Sequence, residues 1–124
     1  MRLLLDTHAL LWWLADRELS KPARRAIGDP ANDVFVSAVS AWEIAIKASL
    51  GKLRAPDDLA DCLDEGGFET LPLRVDHALA AGALPRHHDD PFDRALIAQA
   101  SIESLTVVTR DERFDAYGVD LLLA

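Results

Sequence analysis

Four acidic residues, far apart in the sequence, each follow an apolar strand-like run or lie in the first turn of a predicted helix. They are Asp6, Glu43, Asp93 and Asp111. A parallel α/β sheet gathers such positions at one edge. Two ionised carboxylates about 4 Å apart repel by roughly 4 kcal/mol at an effective dielectric of about 20. If the four acids share a pocket they need a divalent cation, and such a site suits metal-assisted hydrolysis of a phosphodiester.

Two of these acids also have a purely structural interpretation. Glu43 lies three residues after Ser40, which is typical of a capping box, and four before Lys47, which is typical of a surface ion pair. Asp93 can stand in the first turn of a helix for which Asp90 is the N-cap. For Asp90 itself, the sequence favours a cap over a metal ligand.

The other two acids differ in how well a structural role accounts for them. Asp111 is equally well interpreted as the cap of a short helix. Asp6 directly follows Leu3–Leu5, so its carboxylate risks burial and needs hydrogen-bond donors or a metal. Thr7 next to it can supply a hydroxyl to the cluster or to a phosphate, or can itself cap a helix.

Alternating strand and helix patterns must position these residues. We predict strands at 2–5, 34–36, 68–71, 105–108 and 119–122. We predict helices at 9–15, 21–28, 40–50, 56–65, 76–83 and 90–104, a polar loop at 86–89, and a turn or short helix at 110–114. This alternation predicts a single α/β domain over 1–124, with a mostly parallel central sheet between helical layers.

Composition narrows the class of protein further. Half of the 124 residues are hydrophobic, which supports a packed core, and the single Cys62 excludes an internal disulfide. The apolar run 9–15 is far shorter than the roughly 20 residues of a membrane helix, and Asp6 interrupts any export signal. We therefore expect a soluble, cytoplasmic protein without a membrane partner.

Net charge argues initially against a nucleic-acid partner, because it is −8. However, a cation bound by four acids would reverse the local field that a phosphate feels. The basic residues also cluster, although a solvated surface is the simpler interpretation of each cluster. The clusters are Lys21/Arg24/Arg25, Lys47/Lys52/Arg54 and Arg86/Arg94/Arg110/Arg113.

Other chemistries have weaker support. The run 87–90, His-His-Asp-Asp, lacks the helical spacing and cysteine partners of zinc sites, so a solvated loop is favoured for His87 and His88. No P-loop, dinucleotide turn or nucleophile elbow is present. A phospho-accepting receiver domain needs paired acids after its first strand, and a haloacid-dehalogenase-like phosphatase needs an aspartate where His8 stands. An inert interaction domain remains the alternative. The tryptophans Trp12, Trp13 and Trp42 are expected in the core, although one of them could serve a protein interface.

Four motifs in order resemble the PIN domain, and more closely the VapC-type toxins of bacterial toxin–antitoxin pairs. They are Asp-Thr-His at 6–8, Ser-Ala-Trp-Glu-Ile at 40–44, His-Asp-Asp-Pro-Phe-Asp-Arg at 88–94 and Thr-Arg-Asp at 109–111. The resemblance covers essentially the whole chain, and Asp-Pro-Phe-Asp-Arg before an apolar helix is its best single element. His8 departs from the pattern, which often has a small polar residue there.

The resemblance implies an α/β/α fold and a Mg²⁺- or Mn²⁺-dependent endoribonuclease. It carries the acidic metal site onto Asp6, Glu43, Asp93 and Asp111, with Asp90, Thr7 and Ser40 in support. It also implies a homodimer held inactive by a cognate antitoxin. Because sequence-specific RNA recognition usually targets exposed loops, we expect cleavage in a loop of a tRNA or ribosomal RNA, with Arg94 or Arg110 holding a phosphate.

Overall fold

Five short strands form a sheet in which every neighbouring pair runs parallel. The computed structural model describes residues 1–124. The strands are β1 (Arg2–Leu5), β2 (Asp33–Ser37), β3 (Glu69–Leu71), β4 (Thr106–Thr109) and β5 (Leu121–Leu123). Their order in the sheet is β3-β2-β1-β4-β5. The expected α/β class is confirmed, and the sheet is entirely rather than mostly parallel.

Six α-helices and one 3₁₀-helix connect the strands. They are α1 (Thr7–Leu14), α2 (Lys21–Gly28), α3 (Ala38–Ser49), α4 (Leu59–Glu65), α5 (Val75–Ala83), α6 (Pro91–Glu103) and the 3₁₀-helix Glu112–Tyr117. None of these helices combines the length and the apolar character needed to cross a lipid bilayer.

The predicted boundaries need two corrections that affect the site. Helix α3 begins at Ala38 rather than at Ser40, because the Ser37 hydroxyl oxygen accepts a hydrogen bond from the Val39 N–H and caps the helix. Helix α1 begins at Thr7 rather than at residue 9, because the Asp6 side chain caps it. Both helices therefore start closer to the strands that precede them than the patterns predict.

Strand β1 lies at the centre of the sheet and is buried on both faces. Leu3 and Leu5 pack into a cluster with helices α1 and α2, while Leu4 points to the opposite face and packs against Leu96 and Ile97 of α6. This alternation is the two-residue period of a strand. Helices therefore cover both faces of the sheet, as a parallel sheet requires.

The order of the strands fixes where a ligand site can form. The chain builds β2 and β3 on one side of β1 and then returns to place β4 and β5 on the other side. In open α/β sheets the crevice lies at such a reversal, beyond the carboxyl ends of the strands. Here the reversal lies between the neighbouring strands β1 and β4. Strand β1 ends at Leu5 and strand β4 ends at Thr109.

Large apolar side chains are exposed on helices α3 and α5. Trp42 is 60% exposed, Val75 is 75% exposed and Leu79 is 70% exposed. A groove of about 300 Å³ runs beside Trp42 and Phe92, whose rings meet edge to face at 5.3 Å. The core position favoured for the tryptophans is therefore wrong for Trp42, and the alternative that one tryptophan serves a protein interface stays a prediction for this residue.

Candidate metal centre

Asp6 immediately follows β1 and is held on both carboxylate oxygens. Its Oδ1 accepts a hydrogen bond of 2.8 Å from the Ala9 N–H, which caps α1, and its Oδ2 accepts one of 2.6 Å from the Thr109 hydroxyl. The side chain is buried, and this burial raises the pKa of Asp6 although the Thr109 hydrogen bond opposes it. The donors that the sequence analysis required for Asp6 are thus present.

Glu43 lies in the second turn of α3 and is only 4% exposed. Its Oε1 accepts a hydrogen bond of 2.5 Å from the Thr7 hydroxyl, and its Oε2 pairs with the Lys47 ammonium. The predicted capping box with Ser40 is wrong, since Ser37 caps the helix. The ion pair with Lys47 is present, but its acidic end is buried rather than on the surface.

Asp93 stands in the first turn of α6, where Asp90 is the N-cap as predicted. The Asp90 Oδ1 accepts hydrogen bonds from the Phe92 and Asp93 N–H groups at 2.8 and 3.3 Å. Burial, followed by the charges of neighbouring carboxylates, raises the pKa of Asp93 to about 7. Ionisation of Asp93 therefore lowers the stability of the folded protein unless a cation binds beside the carboxylate.

Asp111 follows β4 by two residues and caps the 3₁₀-helix. Its Oδ1 accepts from the Arg113 N–H, and the Arg113 guanidinium bonds to both carboxylate oxygens. Hydrogen bonding to that guanidinium lowers the pKa of Asp111 to about 2. The Asp111 N–H also donates to the Thr109 hydroxyl, so Thr109 joins Asp111 to Asp6.

The charges of the other three predicted acids act on Asp93, although only Asp93 and Asp111, together with His88, have ligand atoms within 4.8 Å of one another. The carboxylates that raise the pKa of Asp93 are Asp90, Asp6, Glu43 and Asp111. Among the four candidate ligands, only the Asp93 Oδ1 has no hydrogen-bond donor or cationic partner within bonding distance. A cluster with this charge and an accessible oxygen fits a divalent cation with oxygen ligands.

The predicted supporting residues occupy different positions around this cluster. Thr7 donates to Glu43, and Asp90 caps α6. The Ser40 hydroxyl is fully buried without a protein hydrogen-bond partner and lies one helical turn before Glu43. An unpaired buried hydroxyl on that turn of α3 is consistent with a hydrated ion nearby.

The two predicted phosphate contacts are both engaged within the protein. Arg94 is buried, and its two terminal nitrogens donate to backbone carbonyls. The accepting residues are Ala81, Gly82, Leu84, Pro85 and His88. The prediction of an RNA contact at Arg94 conflicts with this burial. Arg110 is partly exposed, and its guanidinium lies 4.1 Å from the Trp12 ring and bonds to the Glu18 and Ala124 carbonyls.

His88 is the residue that the sequence analysis missed. It was expected in a solvated loop, but it is only 2% exposed, and its Nε2 lies 2.9 Å from Asp111 Oδ2 and 3.0 Å from Asp93 Oδ2. Its neighbour His87 is exposed, as expected. No local pattern distinguishes the two histidines, because the burial of His88 depends on packing against the distant Phe114 ring.

Comparison with known proteins identifies the family to which the chain belongs. The sequence pattern of the PIN domain matches residues 3–120. The chain therefore belongs to the PIN domain family. The resemblance to VapC-type proteins is confirmed as well: Ribonuclease VapC22 of Mycobacterium tuberculosis is 30% identical over 118 residues, which cover 92% of this chain and 90% of that protein. Ribonuclease VapC16 of the same organism is 43% identical over 60 residues, 47% of this chain and 43% of that protein.

Solved structures share the fold. The crystal structure of VapBC2 from Rickettsia felis, bound to a DNA fragment from its promoter, matches with a TM-score of 0.73 at 16% identity over 98% of each chain. DNA-bound VapBC from Salmonella typhimurium matches with a TM-score of 0.72 at 17% identity, covering 98% of this chain and 97% of that one.

Proposed function

We propose that the protein is a metal-dependent endoribonuclease of the VapC type, which acts as the toxin of a toxin–antitoxin pair. The observation that carries this proposal is the cluster of four carboxylates at the β1/β4 reversal, with the pKa of Asp93 raised to about 7. The relatives named Ribonuclease VapC support the reaction class. A receiver-like or inert interaction domain explains neither the buried acids nor these relatives.

The metal we propose is Mg²⁺ or Mn²⁺. Carboxylate and hydroxyl oxygens suit these hard cations, which retain several of their waters when bound to protein. Asp6 and Asp93 are the proposed direct ligands, whereas Glu43 and Asp111 act through water or orient the nucleophile. A cation bound there would activate a water and neutralise the charge that develops on the phosphate.

The residues of the chain then have distinct tasks. Thr7 and Lys47 hold the Glu43 carboxylate from two sides. The carboxylate can therefore accept a hydrogen bond from a water molecule in a fixed direction. Thr109 holds Asp6 through its second oxygen. Because these donors are already in place, the cluster needs little reorganisation during the reaction.

The substrate we propose is a structured RNA cut in a loop, such as a tRNA or ribosomal RNA. Arg110 remains the candidate for a backbone phosphate, because part of its side chain is exposed beside Asp111. Arg94 is not proposed as a phosphate contact because its guanidinium already donates to backbone carbonyls. An RNA substrate places the proposed activity in the cytoplasm.

Two protein partners belong to this proposal. The first is a cognate antitoxin, supported by fold relatives that were solved as toxin–antitoxin complexes. The second is another copy of the chain, packed through the exposed apolar surface formed by Trp42, Leu73, Val75 and Leu79. Burying exposed side chains of this size stabilises an interface by roughly 25 cal/mol per Å² of apolar area, before the cost of association.

The deciding experiment is cleavage of total bacterial RNA by purified, antitoxin-free protein. Reactions with Mg²⁺ or Mn²⁺ are compared with EDTA, and the wild type is compared with Asp6→Asn. The matched control is Asp57→Asn, an exposed acid away from the cluster. We expect discrete metal-dependent fragments from the wild type and the control, and none from Asp6→Asn. Equal cleavage by Asp6→Asn would contradict the proposed site.

A further inference from the structure

His88 belongs to the loop between α5 and α6, yet its position is fixed on every side. The backbone N–H of His88 donates to the Tyr117 hydroxyl at 2.8 Å, and its backbone carbonyl accepts from the Arg94 guanidinium at 3.1 Å. Its ring meets the Phe114 ring edge to face at 5.9 Å. A side chain held in this way has a defined orientation at the acidic cluster.

The hydrogen bonds of the ring specify which nitrogen carries the hydrogen. Nδ1 accepts from the Asp90 N–H at 3.2 Å, so this nitrogen presents a lone pair. In a neutral imidazole the hydrogen is then on Nε2. That N–H donates to Asp111 Oδ2 at 2.9 Å, and Asp93 Oδ2 lies 3.0 Å from the same nitrogen as a close electrostatic contact.

We propose that His88 is a positioning residue whose Nε2–H bonds to Asp111 and lies against Asp93, and that it does not itself bind the metal. The inference rests on the proposed metal-dependent function and adds a residue to it. The two carboxylates come from different elements, the first turn of α6 and the 3₁₀-helix cap. The single donor between them offsets their repulsion and sets their separation.

The alternative is that His88 is a third ligand beside Asp93 and Asp111, since the ligand atoms of these residues lie within 4.8 Å of one another. Ligation by Nε2 requires a lone pair on that atom, which moves the ring hydrogen to Nδ1. The Nδ1–H would then face the Asp90 N–H, so two donors would oppose each other beside the buried His88 ring. Two opposed donors with no acceptor between them are unfavourable, so this contact disfavours ligation by Nε2.

This assignment has a chemical consequence for the centre. With Nε2–H facing the carboxylates, the cluster offers oxygen donors only. Such a donor set suits Mg²⁺ and Mn²⁺ better than Zn²⁺, which favours imidazole and thiolate ligands. His88 would thus strengthen metal binding through its neighbours, and hydrogen-bonding partners of ligands typically contribute about 10- to 100-fold in affinity.

The test measures Mn²⁺ affinity by calorimetry on the full chain. In His88→Gln the amide nitrogen can replace the Nε2 donor, whereas the shorter side chain of His88→Asn does not reach that position. His87→Gln, at an exposed neighbour, is the control. We expect wild-type affinity for His87→Gln, most of that affinity for His88→Gln, and a loss of about 10-fold or more for His88→Asn. Circular dichroism and thermal unfolding check that each variant folds.

Pulsed electron paramagnetic resonance of Mn²⁺ bound to the wild type decides between donor and ligand without any variant. We expect no strong ¹⁴N coupling. A strong coupling that disappears in His88→Gln would show direct ligation and overturn the inference. Equal Mn²⁺ affinities of wild type and folded His88→Asn would also overturn it, leaving the proposed nuclease untouched. A wild type that binds no Mn²⁺ would overturn both proposals.

Discussion

The Thr109 hydroxyl donates a hydrogen bond of 2.6 Å to the Oδ2 of Asp6, joining the ends of β4 and β1 across 103 residues of chain. The same hydroxyl accepts from the Asp111 N–H at 3.0 Å. One threonine therefore connects two of the proposed metal-binding acids. Both bonds are made at the reversal of strand order where the candidate centre lies.

Removing this hydroxyl is expected to destabilise the protein. In Thr109→Val the buried Asp6 carboxylate loses a donor and the Asp111 N–H loses its acceptor, at a cost of about 1–3 kcal/mol each before relaxation. Urea unfolding with EDTA present measures the change in free energy of unfolding. Thr109→Ser retains the hydroxyl and should stay close to the wild type. Equal midpoints for wild type and Thr109→Val would contradict this role.

Replacing Asp93 should change how stability depends on pH. In the folded protein the pKa of Asp93 is about 7, raised from 3.8, so between these values the unfolded chain loses this proton and the folded protein keeps it. Because the unfolded state binds fewer protons there, this residue lowers stability as pH rises from about 4 to 7. Asp93→Asn lacks that dependence, so its stability relative to the wild type should increase as the pH rises over this range.

The difference in free energy of unfolding between wild type and Asp93→Asn should level off above about pH 7. At that pH Asp93 is ionised in both the folded and the unfolded wild type. One pH unit corresponds to about 1.4 kcal/mol, so the full difference approaches at most about 4 kcal/mol. Urea unfolding of both proteins with EDTA at pH 4.5, 6 and 8 measures it. A difference that stays constant over this range would show that the Asp93 pKa is not raised.

Adding a divalent cation should stabilise the protein strongly, because it neutralises acids that otherwise repel one another. A ligand that binds only the folded state at 100 times its Kd adds about 2.7 kcal/mol to the free energy of unfolding. Thermal unfolding in Mn²⁺ and in EDTA measures the shift. Asp6→Asn with Asp93→Asn should remove most of the shift, whereas Asp57→Asn should keep it. A shift of the same size in the double variant would place the ion elsewhere.

The general architecture was predictable because it depends on local patterns. Short apolar runs alternate with capped helices, and this alternation implies a parallel sheet that collects strand ends at one edge. The Asp90 cap was predicted for the same reason, since capping involves residues only two or three positions apart. A grouping of the four acids at that edge could be proposed from the sequence on the same topological ground.

Tertiary packing determined what the patterns could not predict. Two serines, Ser37 and Ser40, lie near the start of α3, and the true cap is Ser37, which also bonds to Gln99, 62 residues away. His87 and His88 are neighbours of one type, but only His88 meets Phe114 and the acids. Arg94 follows the acidic motif directly, and its burial depends on the carbonyl groups at the end of α5.

Changing the exposed apolar surface should prevent the proposed homodimer from forming. Leu79 of α5 is 70% exposed, so Leu79→Glu places a charge in the proposed interface without disturbing the core. Light scattering coupled to size-exclusion chromatography should show a dimer for the wild type and a monomer for the variant. The control is Leu123→Glu, at an exposed leucine of β5 away from this surface. A variant that stays dimeric would exclude this surface.

Removing the Arg94 guanidinium should affect folding before it affects RNA binding. The group donates to carbonyls at the end of α5 and in the loop that carries His88, so Arg94→Leu leaves those buried acceptors unpaired. Leaving a buried acceptor unpaired costs about 1–3 kcal/mol before relaxation, and several carbonyls are affected here. Urea unfolding measures this loss, and Arg86→Ala, at an exposed arginine of the same loop, should leave the free energy of unfolding near that of the wild type. An Arg94→Leu protein of wild-type stability with weakened RNA binding would instead restore Arg94 as a phosphate contact.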